Sequence, residues 1–334
     1  MPIFSHVPSY FPAKLPTRIS FVAGSPDDDE VLSGPFTGAA GGVFNGALRS
    51  AGLDRSTFHL AHVFDEQADD PRDLDLRRDP EMVKRNFERL ESELARAKPN
   101  VIVPMGETAL WAFTGNTALT PFRGAVSLAT RIKPGAKLLP TFAPALILKQ
   151  WKYLSTLIGD LVKADKEATK GPQIIYPKRE IHLLPSKADV AEWCRLCAKS
   201  DLLSVDIETG WGSITCVGLA PDATRAMTVP FVDLRKPNRS YWPTTRDEYE
   251  VWMLLKHLLE SDVPKLGQNF TYDTFWFLKK LGIRVHNYRH DTRLMHHALY
   301  PELPKDLAYL GSTYTDLGAW KHMGGRYDGD KRDS

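Results

Sequence analysis

The feature that most constrains the fold of this chain is a short apolar run followed at once by two carboxylates. Residues 202–205 are apolar apart from one serine, and Asp206, Ile207 and Glu208 follow directly. Such a run is typical of a buried strand, in which alternate residues project from the same face. Asp206 and Glu208 would therefore share one face, while Ile207 points into the core. Two carboxylates at this spacing can hold a divalent cation, although a solvated strand end has the same pattern.

A second stretch supplies a third carboxylate. Residues 265–269 predict a short strand, and residues 270–281 predict a helix that ends at Gly282. Asp273 would lie in the first turn of this helix, where the partial positive charge of the helix end favours an ionised carboxylate. Asn269, just before the helix, is a candidate helix cap or substrate contact. The strand and the helix together predict a cluster of three acids.

These two stretches resemble the DEDD-type 3′-to-5′ exonucleases that proofread for family A DNA polymerases. Residues 206–209 match the first motif, and Asn269, Tyr272 and Asp273 match the second. The resemblance covers residues 180–334 and implies a ribonuclease H-like domain with a mixed sheet. It also implies that the three acids are catalytic and hold paired Mg²⁺ or Mn²⁺ ions for phosphodiester hydrolysis. Asn269 and Tyr272 would then contact the DNA.

The fourth acid of that family is not found. The family places it four residues after a Tyr or His, and none of Tyr309, Tyr314 and Tyr327 has an Asp at that spacing. The matching position would fall past Ser334, which predicts a truncated or naturally split polypeptide with weakened or lost catalysis. Asp291, before a predicted helix, either faces the site or caps that helix. Four further acids are candidates to substitute for the fourth acid, although they lie among polar residues and glycines, as in a solvated tail. They are Asp316, Asp328, Asp330 and Asp333.

The first half of the chain alternates strand and helix patterns. Residues 19–26 predict a strand that breaks into a Gly and Pro loop, and residues 101–113 predict a strand followed by a helix. This alternation favours a parallel sheet with helices on both faces. The whole chain is therefore predicted to be an α/β protein of two domains. The first covers residues 1–165, a linker covers 166–180, and the second, incomplete at its C-terminus, covers 181–334.

Residues 15–165 resemble the uracil-DNA glycosylase superfamily, and its family 4 type in particular. The matching pieces are residues 34–38, 101–111, 123–124 and 139–145. The resemblance implies that Phe36 stacks on a flipped base and that Arg123 meets a phosphate. Core packing for Phe36 and a surface cation for Arg123 are the alternatives.

The same domain departs from active members of that superfamily. Ala143 stands where they carry a His, and residues 58–63 contain no Asn to bind the uracil edge, although His62 is a partial substitute. The first 193 residues contain none of the cysteines that hold the family 4 iron-sulfur cluster. We therefore interpret the domain as a glycosylase fold that has lost base excision. It would be retained for binding DNA, for spacing or for holding a partner.

Composition sets limits on the function. The 334 residues, 43% of them apolar, can fill two cores. A formal charge of +2 neither requires nor excludes nucleic acid, so a DNA-binding surface has to come from local clusters such as residues 163–179 and 235–239. Three cysteines, with no secretory leader and no membrane span, predict a cytoplasmic protein, in a bacterial host if a phage encodes it.

We predict a fragment or split subunit of a phage-like family A DNA polymerase, with a metal-dependent 3′-to-5′ exonuclease domain. Its substrate would be single-stranded DNA or a primer 3′ end, and its partner a polymerase-domain polypeptide or another replication protein. One alternative is a non-catalytic DNA-binding or partner-docking module. A weaker alternative is an active uracil-DNA glycosylase, against which Ala143 argues.

Overall fold

The computed structural model of the protein describes residues 6–66 and 79–318. These residues form two compact units. The first unit contains the described residues up to Ile175 and those from Glu302 onwards, and the second contains Tyr176–Pro301. None of the described helices combines the length and the hydropathy that crossing a bilayer requires.

The first unit has a sheet of five strands and a set of flanking helices. The strands are β1 (Ile19–Ala23), β2 (His59–His62), β3 (Val101–Pro104), β4 (Ser127–Leu128) and β5 (Lys137–Leu138). The helices are α1 (Asp28–Ser33), α2 (Ala39–Ser50), α3 (Pro80–Ala97), α4 (Glu107–Thr114), α5 (Pro144–Lys149), α6 (Leu154–Thr169) and α11 (Leu307–Tyr314).

The first sheet has the strand order β2-β1-β3-β5-β4 and is parallel except for β4 against β5. Alternate residues of its strands enter two cores on opposite faces: Phe21 belongs to one core and the next residue, Val22, to the other. Helices α2, α5 and α6 contribute to the first core, and α3 and α4 to the second. This is the layered arrangement that alternating strand and helix patterns predict.

The second unit has a sheet of six strands and four helices. The strands are β6 (Glu180–His182), β7 (Leu203–Gly210), β8 (Ser213–Ala220), β9 (Arg225–Pro230), β10 (Lys265–Gly267) and β11 (Tyr288–Asp291). The helices are α7 (Lys187–Cys197), α8 (Thr245–Leu259), α9 (Thr271–Leu281) and α10 (Thr292–Leu299).

The second sheet is mixed, with the order β11-β10-β7-β8-β9-β6. Strand β8 runs antiparallel to β7 and β9, whereas β10 runs parallel to β7 and β11. One hydrophobic core includes Val205 of β7, Leu255 of α8 and Phe277 of α9. Helix α9 ends, as the sequence predicts, at Gly282 in the left-handed conformation, with φ of 64°. The predicted α/β fold class, one mostly parallel and one mixed sheet, is confirmed.

The unit boundaries differ from the predicted division. Helix α6 continues to Thr169 and so occupies the start of the predicted linker, residues 166–180. The prediction also assigns the described residues from Glu302 onwards to the second domain, whereas they belong to the first unit. The chain therefore leaves the first unit, forms the second, and returns.

The return is explained by how α11 packs. The Tyr309 hydroxyl lies 2.6 Å from Oγ1 of Thr156, and the guanidinium of Arg123 lies over the Tyr309 ring at 4.4 Å. Lys163 Nζ donates to the carbonyl of Ser312 at 2.9 Å. These contacts join α11 to α6 and to the loop before β4, more than 140 residues away in sequence. Local sequence patterns contain no signal for such a pairing.

Candidate functional site

Strand β7 presents two of the three predicted acids. Val205 and Ile207 are buried, and the residues that alternate with them, Asp206 and Glu208, are exposed on the opposite face. The strand continues through both acids to Gly210, so they lie within the strand rather than at its tip. Their common face follows from the two-residue period of the strand.

The third acid is held against this strand by a hydrogen bond. Asp273 lies in the first turn of α9, is 3% exposed, and accepts from the backbone N–H of Ile207 at 2.9 Å. Burial raises the pKa of Asp273 to about 7, and the charge of Asp206 acts in the same direction. The structure therefore brings Asp273 to the segment of β7 between Asp206 and Glu208. Two like-charged carboxylates then compete for ionisation, a conflict that a bound cation would relieve.

Asn269 follows the end of β10, and Tyr272 lies in the first turn of α9 next to β7. Asn269 has φ of 57°, its N–H donates to Oδ1 of Asp291 at 3.0 Å, and its Oδ1 accepts from Arg293 at 2.9 Å. Its side chain makes no capping bond to α9, so of the two roles considered for Asn269 the structure does not support the cap. Tyr272 is 44% exposed, with its hydroxyl 2.7 Å from Oγ1 of Thr209.

Asp291 is the N-cap of α10. Its carboxylate accepts from the N–H groups of Arg293 and Leu294, and also from those of Asn269 and Phe270. Burial would raise the pKa of Asp291, but the backbone hydrogen bonds outweigh burial and hold it below the ordinary value. Of its two predicted roles, the structure supports the cap. Asp291 fastens α10 to the turn before α9.

A hard divalent cation fits this donor set chemically. Carboxylate oxygens are the ligands that Mg²⁺ and Mn²⁺ prefer, and Asp273 is a buried acid beside a second negative charge. The ligand oxygens of Asp206, Glu208 and Asp273 are not all within 4.8 Å of one another in the described structure. Joint coordination therefore requires a rotamer change at the exposed carboxylates.

In the described part of the chain, one group does meet that distance: His6, Asp65 and Glu66. Its acids already have cationic partners. Glu66 accepts from Arg85, and Asp65 lies 3.3 Å from Nε of Arg89. The negative charge that would attract a metal ion is thus neutralised, and we interpret this group as an ion-pair network.

Of the four acids near the end of the sequence, the structure describes Asp316. Asp316 pairs with Lys170 of the first unit, at 3.4 Å between Oδ2 and Nζ. Asp328, Asp330 and Asp333 lie outside the described residues.

In the first unit, Phe36 is buried rather than open to a base. It is 3% exposed, and its ring is stacked with that of His62, at 5.1 Å between centroids and 14° between planes. Nε2 of His62 lies 3.1 Å from Oε2 of Glu30, which holds the imidazole in place. The expected stacking surface for a flipped base is therefore covered by a side chain of the same unit. Ala143 is the N-cap of α5 and makes no side-chain capping bond.

Arg123 is also buried, with 1% of its surface exposed. Its guanidinium donates to Oδ1 of Asp160 at 2.8 Å, to Oγ of Ser312 at 2.6 Å and to Oγ1 of Thr313 at 2.9 Å. Arg123 is therefore a buried cation that holds α11 in place. It is neither the phosphate contact nor the surface cation that the sequence offers as alternatives.

The comparisons with known proteins identify a family for the first unit. Residues 8–162 match the uracil DNA glycosylase superfamily. A type-4 uracil-DNA glycosylase of Archaeoglobus fulgidus is 32% identical over 138 residues, which cover 39% of this chain and 67% of that protein.

The similar solved structures include two ribonucleases. RNase D of Trypanosoma brucei, solved with RNA U12, is 16% identical with a TM-score of 0.29, covering 36% of this chain and 40% of that one. RNase D of Escherichia coli is 16% identical with a TM-score of 0.32, covering 42% of this chain and 35% of that one. The chain thus spans less than half the length of either ribonuclease. The glycosylase of Archaeoglobus fulgidus is 32% identical, and this chain covers 67% of it. Through its first unit, this chain therefore belongs to the uracil DNA glycosylase superfamily.

Proposed function

We propose that the second unit is a metal-dependent nuclease that removes nucleotides from the 3′ end of single-stranded DNA. One observation carries the proposal: the buried carboxylate of Asp273 is bonded to β7 between Asp206 and Glu208, and its pKa is raised to about 7 by burial and then by Asp206. Perturbed acids that converge from two elements are typical of catalytic sites.

The three acids would hold Mg²⁺ or Mn²⁺, which supplies a water nucleophile near neutral pH and stabilises the leaving oxygen. The protein's own groups position the substrate. Tyr272 and Thr209 present paired hydroxyls next to Glu208, where they can orient a terminal nucleotide. Arg293 donates to the side-chain oxygen of Asn269 and so fixes this amide just after β10.

The proposal includes a weakened activity. The fourth acid expected from the exonuclease resemblance is not identified among the described residues, where Asp316 pairs with Lys170. The setting in a phage-like family A polymerase, with a polymerase polypeptide as partner, rests on the motif resemblance alone.

The test uses the full chain, 5′-labelled single-stranded DNA and Mn²⁺ or Mg²⁺, with products separated at single-nucleotide steps. We expect slow, metal-dependent shortening from the 3′ end that Asp206→Ala abolishes. Asp262→Ala is the matched control, because that side chain is 99% exposed and lies outside the acid cluster. Shortening that persists in Asp206→Ala would place the activity elsewhere. No shortening by the parent chain, with DNA binding intact, would favour the non-catalytic binding module.

Uracil excision by the first unit is a second candidate, because the superfamily includes a uracil-DNA glycosylase with 32% identity. The His62 ring over Phe36 and the alanine at position 143 weigh against it. We expect uracil-containing DNA to stay intact after incubation and alkaline cleavage. Cleavage at uracil above the rate without protein would make the first unit an enzyme.

A further inference from the structure

One face of α9 carries three aromatic side chains followed by two lysines. Tyr272, Phe275, Trp276, Lys279 and Lys280 recur at the three- and four-residue spacing that places side chains on one side of a helix. The Tyr272 and Trp276 rings are 6.0 Å apart. Lys279 Nζ lies 5.1 Å from the Phe275 ring, and Lys280 Nζ lies 5.4 Å from the Trp276 ring. We call these five residues the α9 face.

Three of the five side chains on this face are aromatic; Tyr272 and Phe275 are exposed like the two lysines, whereas Trp276 packs partly against the core. Phe275 is 54% exposed and Tyr272 is 44% exposed, and exposed apolar groups that occur together on one surface are typical of binding sites. Among the residues that the structure describes, neither Lys279 nor Lys280 has a carboxylate oxygen within 4.0 Å. By contrast, Arg246 and Lys256 of α8 pair with Glu250 and Glu260 respectively. The α9 face thus combines the exposed rings of Tyr272 and Phe275 with two lysines that pair with no carboxylate in the described part of the chain.

The face begins at the candidate acidic site. Tyr272 directly precedes Asp273, and its hydroxyl contacts Thr209, the residue after Glu208. Successive turns of α9 then lead away from the acids to the two lysines at its C-terminal end. A ligand bound along the helix would have one end at the carboxylates.

We infer that the α9 face binds single-stranded nucleic acid, with bases stacked on Tyr272 and Phe275 and phosphates beside Lys279 and Lys280. Aromatic platforms combined with cations are the common chemistry of single-strand binding, since every base offers a ring face and every nucleotide a negative charge. A purely apolar protein partner would leave both lysines without a counter-charge. The 3′ orientation of the strand rests on the proposed nuclease function, but binding itself does not.

The structure also favours this face over the basic loop at residues 235–239. Arg235 forms a bidentate pair with Asp233, and Trp242 beside the loop is buried at 3% exposure. That loop therefore offers neither a free guanidinium at Arg235 nor an open indole at Trp242.

The first experiment measures how strongly salt weakens binding, which reports the number of phosphate contacts. Binding of a fluorescently labelled single-stranded oligothymidylate is followed by anisotropy from about 50 to about 200 mM salt, with EDTA present so that no hydrolysis occurs. Each phosphate contact to a single strand contributes about 0.7 to the slope of log K against log salt, so Lys279→Gln/Lys280→Gln should lower the slope by about 1.4. The control Arg246→Gln/Lys256→Gln removes the same charge from paired positions and should leave the slope unchanged.

The second experiment measures stacking. Phe275→Ala should weaken binding by roughly five- to 150-fold, from the stacking contribution of one base, while Phe275→Tyr should retain it. An unchanged slope in the double lysine variant, or a Phe275→Ala effect within about twofold, overturns the inference. Because EDTA is present, these results are separate from the nuclease assay. If binding follows the prediction but no 3′ shortening occurs, the α9 face is supported as a binding surface and the nuclease proposal is refuted.

Discussion

Replacing Asp273 by Asn should stabilise the protein while it destroys the proposed activity. Asp273 is buried beside Asp206, and the substitution removes a negative charge without changing the shape of the side chain. The Asn side-chain oxygen can still accept from the N–H of Ile207, so the bond that joins α9 to β7 is retained. The effect therefore isolates the cost of ionising this one acid.

The magnitude follows from the shift in acidity. Burial, and then the charge of Asp206, raise the pKa of Asp273 from 3.8 to about 7, and about 3 pKa units correspond to about 4 kcal/mol. For an acid whose pKa is raised on folding, stability is fully present below the unfolded pKa and is lost as the pH rises through the folded pKa. Asp273→Asn should therefore gain up to about 4 kcal/mol at pH 8 and almost nothing at pH 4.

The assay is urea unfolding at pH 8 and at pH 4 with EDTA, followed by a repeat at pH 8 with Mn²⁺. Mn²⁺ at about 100 times its Kd should stabilise the parent chain by about 2.7 kcal/mol, and the variant by less, because the variant lacks one anionic ligand. Asp262→Asn is the control, since its side chain is 99% exposed.

An equal gain in stability at both pH values would refute the reasoning, because it would show that charge is not the cause. A variant less stable than the parent at pH 8 would also refute it. Equal stabilisation of parent and variant by Mn²⁺ would remove Asp273 from the metal ligands and leave the electrostatic argument in place.

Three further predictions concern the first unit. Arg123→Met should cost about 3–5 kcal/mol in urea unfolding, because Asp160 is left as a buried charge without its main partner, and Arg123→Met/Asp160→Leu should recover much of that loss. Gly124→Ala should loosen α11 and speed proteolysis at residues 302–318, because Gly124 has φ of 67° and an added Cβ would lie 2.8 Å from Asp160 and 3.1 Å from the carbonyl of Ser312. Burial, then the charges of two arginines, lower the pKa of His59 to about 4. The free energy of unfolding should therefore fall by about 3 kcal/mol as the pH drops from 6.5 to 4, and this fall should be absent in His59→Gln.

Much of the second unit could be predicted from local patterns. The two-residue period around Ile207 places Asp206 and Glu208 on one face, and Gly282 ends α9 because a residue there must adopt positive φ. These features depend on neighbours within a few residues, so they are visible in the chain itself. The role of Asn269 is not local: its side chain bonds to Arg293 of a later helix instead of capping α9.

The sequence by itself therefore determined the two-domain α/β plan and the glycosylase-like first half, and it supplied the three candidate acids of the second unit. Tertiary structure alone decided the environment of each side chain. Arg123 is a buried cation because α11 packs against it. The Phe36 ring is covered because His62 of β2 stacks on it. The pKa of Asp273 is raised because α9 packs against β7. Burial and charge at these positions depend on residues distant in sequence, and only the folded chain brings those residues together.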